Sequence, residues 1–346
     1  MVRRSLLLGL GLVVLSALLP AGAAATHVAC GDVLTQDTTL DSDLLDCPGD
    51  GVVIAATGIT LDLGGHTIDG TGVEAGNQGV ENNGADDVVI RNGTITDFHA
   101  GVAIRLGGAN IVTGLAISRT GHAVYLEEAS SIRVEQNVIR ASAAGVHVLR
   151  EGSFIEIRDN SITGVDTGVM LIGFGFPHQI ARTEIADNDL SRNDTGMLST
   201  NTHELVVTGN RVSGNVEGGI VDSQSTFGRF EDNVTAANGF SGISTSNSTE
   251  VTVAGNRSWS NGTDGIVFVA DVRGATVADN FTRGNGDDGI DVDRGTTTFG
   301  TVTIARNKAH HNGDLGIEAV PGVTDGGGNK AHGNGNPLQC LNVSCK

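Results

Sequence analysis

Aromatic side chains and cysteines are scarce in this chain of 346 residues, and both shortages narrow what it can do. Aromatic residues make up 3%, with Trp259 the one tryptophan, so a platform for stacking on a sugar ring has few places to form. The four cysteines stand only near the two ends of the chain. In an oxidising compartment this distribution predicts one local disulfide at each end, pairing Cys30 with Cys47 and Cys340 with Cys345.

Basic side chains are outnumbered, with 21 lysines and arginines against 40 aspartates and glutamates. The formal net charge of −19 argues against nucleic acid as a partner, because the phosphate backbone would be repelled. A polyanionic ligand would need a cation or a local basic patch to approach this protein. The composition therefore directs attention to small regions where the charge departs from the average.

The first 25 residues have the pattern of a cleaved export signal. Two arginines precede an apolar run at residues 6–19, and small residues precede a cleavage site after Ala25. The apolar run is too short to span a membrane, so no membrane association is expected once the signal is removed. Cleavage takes away two arginines and moves the net charge to −21. We therefore predict a protein that is secreted, periplasmic or displayed at the cell surface.

A repeat of 22 to 28 residues fills most of the remaining chain. Asparagine-rich turns followed by a small and an aliphatic residue recur between Val102 and Ile317, as in "GNRSWSNGTDGI" and "DNFTRGNGDDGI". Each unit contains three short alternating runs, and none shows a helical period, so each unit is predicted to contribute three strands. Stacked units of this kind form a solenoid of three parallel sheets.

This repeat resembles that of the right-handed parallel β-helix family, the repeat type of pectate lyases, polygalacturonases and alginate epimerases. The stretch "GITLDLGGHTIDGTG" at residues 58–72 is similar to the first coil of many secreted members. The resemblance implies an all-β, single-domain, three-sheet right-handed parallel β-helix of roughly eleven or twelve coils. We place these coils at residues 58–335, between a disulfide-bearing N-terminal cap at 26–57 and a second disulfide-bearing cap at 336–346.

The same resemblance implies a secreted protein that binds or processes polysaccharide. As an enzyme it would be a lyase, a uronan epimerase or a glycoside hydrolase acting on an acidic glycan. Two other classes stay open at this point: a non-catalytic surface or structural β-helix protein, and a metal-binding accessory β-helix protein. The fold alone does not choose among them, because the same coils serve many activities.

The first asparagine of each unit is predicted to occupy a sharp bend with its amide pointing inward. Asparagine tolerates a left-handed backbone, and its amide can bond its counterparts in the coils above and below. The predicted ladder comprises Asn137, Asn160, Asn188, Asn210, Asn233, Asn256, Asn280, Asn307 and Asn329.

The stretch "NGDDGIDVDRG" at residues 285–295 gathers four aspartates within seven positions. The strand period of two turns Asp291 and Asp293 outward, and Glu318 is expected beside Asp291 in the next coil. Neighbouring carboxylates repel one another unless a cation binds between them, and calcium prefers such oxygen-rich sites. Calcium bound by these three residues is therefore the one cofactor that we predict.

The turn in this stretch carries a second hypothesis. Asp287 and Asp288, together with Asp264 one coil earlier, resemble the paired acidic motifs of polygalacturonases, which implies acid–base catalysis on a glycosidic bond. The next coil, "NGDLGI", lacks the Gly-His-Gly of that family. The structural alternative is that aspartate recurs here because it caps bends.

A second candidate cluster lies on three successive coils near the N-terminus. Arg105 or Arg150 could neutralise a uronate carboxylate while Tyr125 or His147 transfers a proton, and Glu127 and Arg150 could also contact the glycan. The insertion "GFGFPHQ" at residues 173–179 could overhang this groove, and it is similar to the Asp-Pro-His signature of alginate epimerases, with phenylalanine in place of aspartate. A solvated, salt-bridged strand face is the alternative.

A third candidate surface follows a column three positions after the ladder asparagines: Trp259, Arg283, His310 and His332. Trp259 and Arg283 are predicted to bind carbohydrate, and Trp259 could stack either on a sugar ring or on Arg283. His310 and His311 are adjacent and are expected to point to opposite faces of a strand, which disfavours copper or zinc chelation.

Overall fold

The computed structural model describes residues 27–175, 179–292 and 302–346. Across these residues the chain winds through short strands, and the one helical turn described is a 3-10 turn at Val73–Ala75. No helix among them is long and apolar enough to cross a membrane. Each strand pairs in parallel with its counterpart one coil away, and this pairing produces three sheets that run along the axis of the solenoid.

Sheet 1 carries Asp291 and Glu318 of the acidic stretch and the residues of the candidate cluster near the N-terminus. Its thirteen main strands stack in the order in which they occur along the chain. They are Asp32–Leu34, Val52–Ile54, Gln78–Asn83, Ala100–Arg105, His122–Ser130, Ala144–Ser153, Thr167–Gly173, Thr195–Thr200, Ile220–Ser223, Ile243–Ser246, Ile266–Val269, Ile290–Val292 and Ile317–Ala319. Two short strands, Ile180–Ala181 and Thr202–His203, extend the sheet beside the end of Ala144–Ser153.

Sheets 2 and 3 close the other two sides of each coil. Sheet 2 comprises Thr38–Thr39, Thr60–Asp62, Val89–Thr96, Ile111–Ser118, Arg133–Glu135, Glu156–Arg158, Glu184–Ala186, Val206–Thr208, Arg229–Glu231, Thr252–Ala254, Thr276–Ala278, Thr303–Ala305 and Thr324–Gly327. Sheet 3 comprises Leu44–Cys47, Thr67–Gly70, Val138–Arg140, Ser161–Thr163, Arg211–Ser213, Val234–Ala236, Arg257–Trp259, Phe281–Arg283, Lys308–His310 and Lys330–His332. The long strands Val89–Thr96 and Ile111–Ser118 pair within both ladders.

The core is a set of aliphatic files that run parallel to the solenoid axis. The predicted file Ile220, Ile243, Ile266, Ile290 and Ile317 is confirmed, since each residue pairs in register with the next and all are fully buried. Alternate residues of these strands face inward, as the period of two requires. The outward positions of sheet 1 are therefore fixed by the same register.

The predicted asparagine ladder is confirmed between sheets 2 and 3. In each coil the amide nitrogen donates to the amide oxygen of the next asparagine, as in Asn233 to Asn256 at 3.1 Å and Asn256 to Asn280 at 3.1 Å. A second ladder, which is not among the predicted asparagines, lines the turn between sheets 3 and 1. It comprises Asn193, Asn215, Asn238, Asn261, Asn285, Asn312 and Asn334.

Both predicted disulfides are present, with Cα–Cα distances of 5.4 Å for Cys30–Cys47 and 6.2 Å for Cys340–Cys345. The stack has about thirteen coils rather than eleven or twelve. The difference arises at the N-terminus, where the strands Asp32–Leu34 and Val52–Ile54 already pair within sheet 1. The segment that we assigned to a cap thus contributes coils as well as a disulfide.

Candidate functional site

The acidic cluster lies on the outer face of sheet 1 toward its C-terminal end. Asp291 pairs in register with Glu318, which places the two side chains side by side as the strand period predicts. One carboxylate oxygen from each of Asp264, Asp288 and Asp291 lies within 4.8 Å of the others. The cluster thus combines residues from the predicted catalytic and calcium sets. Asp293, the remaining predicted calcium ligand, lies outside the described residues.

Asp288 is the most deeply placed member of the acidic cluster, with 3% of its surface exposed. Its carboxylate accepts a hydrogen bond from the backbone N–H of Leu315 at 2.6 Å, and its own N–H donates to Asp264 at 3.0 Å. The pKa of Asp288 is raised to about 8, mainly by burial and also by the neighbouring carboxylates of Asp287 and Asp291, against the opposing effect of the Leu315 N–H. Burial also raises the pKa of Asp264. Asp288 is therefore largely protonated at neutral pH.

The two predicted catalytic aspartates differ in their exposure to solvent. Asp287 is exposed at the turn, whereas Asp288 is buried and hydrogen-bonded within it. An extended polysaccharide would reach Asp287 and Asp291 more readily than Asp288. A groove of about 470 Å³ is bordered by Asp291, Glu318 and Pro321. The geometry of Asp288 is that of a residue which stabilises the turn.

The N-terminal cluster is held together by ion pairs. Arg105 contacts Glu81 at 3.2 Å and Glu127 at 3.5 Å, while Arg150 contacts the other oxygen of Glu127 at 2.6 Å. The Arg105 guanidinium also lies 5.4 Å from the centre of the Tyr125 ring. Both arginines that were predicted to bind a uronate are thus already paired with carboxylates. A uronate would have to compete with Glu127 for them.

Rings surround the predicted proton-transfer residues. The ring centres of Tyr125 and His147 are 5.5 Å apart, and His122 lies within 5.4 Å of the first and 4.8 Å of the second. Burial lowers the pKa of His147, and burial together with His147 and His99 lowers the pKa of His122 to about 4. Burial and the charge of Glu127 raise the pKa of Tyr125. At neutral pH the two imidazoles and the phenol are therefore all uncharged.

The insertion predicted to overhang this cluster is described only in part. Gly173 ends a strand of sheet 1, and residues 176–178, which include the phenylalanine compared with the epimerase aspartate, lie outside the described residues. The described part of the N-terminal cluster therefore consists of strand residues.

Sheet 3 carries a third candidate surface, which we call the aromatic–basic patch: Arg257, Trp259, Phe281, Arg283 and Lys308. The register places Trp259 beside Arg283, and places Phe281 between Arg257 and Lys308. All five side chains point away from the core, because the alternate residues Ser258, Thr282 and Ala309 are fully buried. Four of them border a depression of about 560 Å³ on the surface of the solenoid, and Arg283 borders an adjacent depression of about 390 Å³ together with Trp259 and Phe281.

The cations of the aromatic–basic patch are not neutralised locally. Within residues 27–175, 179–292 and 302–346, no ion pair involves Arg257, Arg283 or Lys308. At the rim of the depression Arg306 and Asp279 pair at 2.7 Å and compensate each other. The whole chain contains three lysines, and Lys308 and Lys330 both stand in this column. A chain of net charge −19 thus presents a local positive surface beside its one tryptophan.

The expected divergence of His310 and His311 is wrong. The strand Lys308–His310 ends before His311, which adopts a left-handed backbone with φ of 57°. This turn brings the His311 ring to 5.7 Å from the ring of His332, and His332 lies 3.8 Å from His310. Three imidazoles therefore gather at the C-terminal end of sheet 3, next to the aromatic–basic patch.

Several residues near these sites were not predicted from the sequence. Arg257, Phe281 and Lys308 follow a ladder asparagine directly, so they form a column parallel to the predicted one, and that spacing could have found them. His99 and His122 lie close to the N-terminal cluster but stand at strand entrances, where the strand period of two does not fix the direction of a side chain. Only the folded turn shows that they reach the other rings.

Sequence comparisons agree with this architecture. The profile described as "Right handed beta helix region" matches residues 36–178. The profile described as "Periplasmic copper-binding protein (NosD)" matches residues 154–285 and 182–334. This chain belongs to the right-handed β-helix family. No curated protein matches it in sequence.

Solved structures share the fold of this β-helix protein at low sequence identity. The DFA-IIIase from Arthrobacter chlorophenolicus A6, without its lid and in complex with GF2, has a TM-score of 0.56 at 14% identity, covering 80% of this chain and 84% of its own. The periplasmic alginate epimerase AlgG, as a double mutant, has a TM-score of 0.50 at 14% identity and covers 91% and 78%. The Dettilon tailspike protein has a TM-score of 0.50 at 17% identity and covers 90% of this chain, which spans 60% of the tailspike.

Proposed function

We propose that this β-helix protein binds an anionic polysaccharide on the aromatic–basic patch of sheet 3. The observation that carries the proposal is the charge of this surface: Arg257, Arg283 and Lys308 have no ion-pair partner among the described residues, on a chain with 19 excess acids. Carboxylate or sulfate groups on a glycan would supply the missing partners. The remaining acidic surface would repel such a ligand, so binding is confined to this patch.

The aromatic residues of the patch would make it selective for sugars over other anions. Trp259 and Phe281 are half-buried on adjacent strands, so one face of each ring remains available for a pyranose ring. Successive strands lie about 4.8 Å apart, close to the length of one sugar residue in an extended chain. A glycan lying along the solenoid axis would therefore meet alternating aromatic and cationic side chains.

Related proteins support a glycan as the ligand. One structural neighbour is an alginate epimerase and therefore acts on a polyuronate, and another was solved in complex with GF2. Export to an oxidising compartment, which the two disulfides favour, is part of the proposal, and the periplasmic location in the names of AlgG and NosD is consistent with it. These likenesses are to the fold, so the ligand assignment rests on the patch.

The patch is tested by measuring affinity for oligoalginate and for a neutral glucan of equal length. Replacing both Arg283 and Lys308 with alanine is expected to weaken oligoalginate binding at least tenfold at low salt, because two charge-assisted contacts are lost. Trp259→Ala should weaken binding of any sugar that stacks there. Titration calorimetry in low and high salt would measure both effects, and affinity of the parent should fall as salt rises.

Arg140→Ala is the matched control for these variants. Arg140 is an exposed arginine on the same sheet, five coils from Trp259, so its removal changes the net charge without touching the patch. Equal loss of affinity in the control, or unchanged affinity in the double variant, would contradict binding at the patch. The same incubations, read for unsaturated ends and reducing ends, test whether the protein also cleaves the glycan.

Calcium binding by the acidic cluster is a separate expectation. If Asp264, Asp288 and Asp291 hold a calcium ion, calcium at a hundredfold above its Kd stabilises the fold by about 2.7 kcal/mol, because it binds the native state alone. Calcium must displace the proton of Asp288, so the stabilisation should grow as the pH approaches 8. Thermal melts with calcium or EDTA measure it. The double variant Asp264→Asn with Asp291→Asn should lose the response, whereas Asp194→Asn, an exposed aspartate in the equivalent turn of another coil, should keep it.

Metal handling is the second candidate function. It is favoured by one observation, the gathering of His310, His311 and His332 in the segment that matches the copper-binding family profile. Imidazole nitrogen is a preferred ligand of copper and zinc. In this role the protein would be an accessory that binds a transition metal rather than an enzyme.

A further inference from the structure

A different group of metal-ligating side chains lies on sheet 1, next to the N-terminal cluster. The ring centre of His122 is 5.6 Å from that of His99 and 4.8 Å from that of His147. His147 pairs in register with Met170 on the next strand, which places the thioether beside the imidazole. We call these four residues the histidine–methionine group. Its three histidines precede the segment matched by the copper-binding profile, which begins at residue 154.

The two central histidines have ring nitrogens that no other part of the described chain satisfies. His147 is 9% exposed, and neither of its ring nitrogens has a hydrogen-bond partner among the described residues. The Nδ1 atom of His122 is also buried without a partner there. A buried polar atom without a hydrogen-bond partner destabilises the fold, so three such atoms within one small group indicate a ligand.

We propose that His122 and His147 bind a copper ion, with the sulfur of Met170 as a third ligand and His99 at the edge of the site. Two imidazoles bound to one ion through bonds of about 2.0 Å, meeting at a tetrahedral angle, have ring centres about 5 Å apart. The observed separation of 4.8 Å between His122 and His147 fits this arrangement. The parallel register brings Met170 to the same side of the sheet.

The choice of copper follows from the donor atoms. A thioether is a soft ligand that selects copper(I), and imidazole binds copper well in both oxidation states. Glu127, whose charge acts on the neighbouring Tyr125, is held by Arg105 and Arg150 at 3.5 and 2.6 Å. Hard cations such as calcium prefer oxygen ligands, so they match the carboxylates of the acidic cluster better than this nitrogen and sulfur donor set.

The experiment measures copper(I) affinity of the whole exported chain by competition with bicinchoninate under anaerobic conditions, and zinc affinity in parallel. The double variant His122→Asn with His147→Asn is expected to lose at least a hundredfold in copper affinity. Met170→Leu, which preserves volume, should lose about tenfold for copper(I) and leave zinc binding unchanged. Thermal melting of each variant establishes that it is folded. Should the double variant not fold, the Met170→Leu comparison decides the question alone.

The matched control is His310→Asn with His332→Asn, which removes two imidazoles from sheet 3 and leaves sheet 1 intact. Copper affinity that survives in this control and falls in the sheet 1 variants supports the inference. Affinity that falls only in the control overturns the inference and supports the second candidate function instead. Equal binding of zinc and copper(I), both indifferent to Met170→Leu, would overturn the assignment of copper. None of these outcomes depends on glycan binding.

Discussion

Replacing Ile266 with aspartate is expected to lower the free energy of unfolding by about 3 to 5 kcal/mol, the cost of an unpaired charge in the core. Ile266 is fully buried and pairs in register with Ile243 on one side and Ile290 on the other. An aspartate there finds aliphatic neighbours in both directions and no cation. Urea unfolding followed by far-UV circular dichroism would measure the change.

Val216→Asp is the control, because Val216 is 70% exposed in a turn and the same substitution there keeps its charge in water. We expect this variant to stay within about 0.5 kcal/mol of the parent. Equal destabilisation by the two substitutions would contradict the assignment of Ile266 to the interior. A second transition in the Ile266→Asp curve would show that the coils on either side unfold separately, as repeat proteins can.

The regular coils could be predicted because each one repeats the same pattern of inward aliphatic residues and turn asparagines. Alternation fixes which residues face inward, and the recurring asparagine fixes where the chain bends, so one reliable coil sets the register of its neighbours. The ladder residue Asn256 illustrates this: its spacing from Asn233 and Asn280 alone identified its role. The second ladder has the same spacing and could have been found in the same way, through Asn238 and Asn261.

The first coils were harder to predict, because the segment from Asp32 to Ile54 lacks the asparagine turn that marks the later ones. Its strands are two to four residues long and are recognisable only by their partners in sheets 1 to 3. A strand of this length carries too little pattern to be distinguished from a loop. The pairing of Asp32–Leu34 with Val52–Ile54 depends on long-range geometry that the local sequence does not contain.

The positions of the candidate site residues could be predicted only where those residues lie within a strand. Trp259 and Arg283 occupy equivalent positions in successive coils, so the register places them together. His311 was misplaced because its direction depends on a left-handed turn, and nothing in the adjacent residues fixes that turn. The pairing of Glu127 with two arginines was equally hidden, since competition among long flexible side chains is settled by the folded arrangement.

One buried carboxyl group in the core was not anticipated at all. Asp222 points inward from sheet 1 and accepts hydrogen bonds from Ser199 at 2.7 Å and Ser225 at 2.5 Å on one oxygen. Its other oxygen lies 3.2 Å from the hydroxyl of Ser248. That hydroxyl already donates to the carbonyl of Ser246 at 2.8 Å and accepts from the N–H of Ser225 at 3.0 Å. Since a hydroxyl has one proton, the network is complete only when Asp222 is neutral and donates to Ser248.

Burial raises the pKa of Asp222 above its ordinary value of 3.8, although the serine hydroxyls oppose the shift. The unfolded chain therefore releases this proton at a lower pH than the folded chain does. Below the unfolded pKa both states are protonated and Asp222 imposes no penalty. As the pH rises above 3.8 the unfolded chain releases the proton while the folded chain retains it. The free energy of unfolding therefore falls by up to about 1.4 kcal/mol per pH unit until the folded pKa is reached.

Asp222→Asn is consequently expected to stabilise the protein at neutral pH and to leave it nearly unchanged at pH 3. The asparagine oxygen can accept from Ser199 and Ser225 while its amide donates to Ser248, which reproduces the neutral network without a titratable group. Urea unfolding at several pH values between 3 and 8 would measure the difference between variant and parent, which should widen as the pH rises. Asp232→Asn, at an exposed turn, should show no such widening. A variant less stable than the parent at pH 7 would mean that the folded protein holds Asp222 as a carboxylate, with Ser248 donating to it in place of the Ser246 carbonyl.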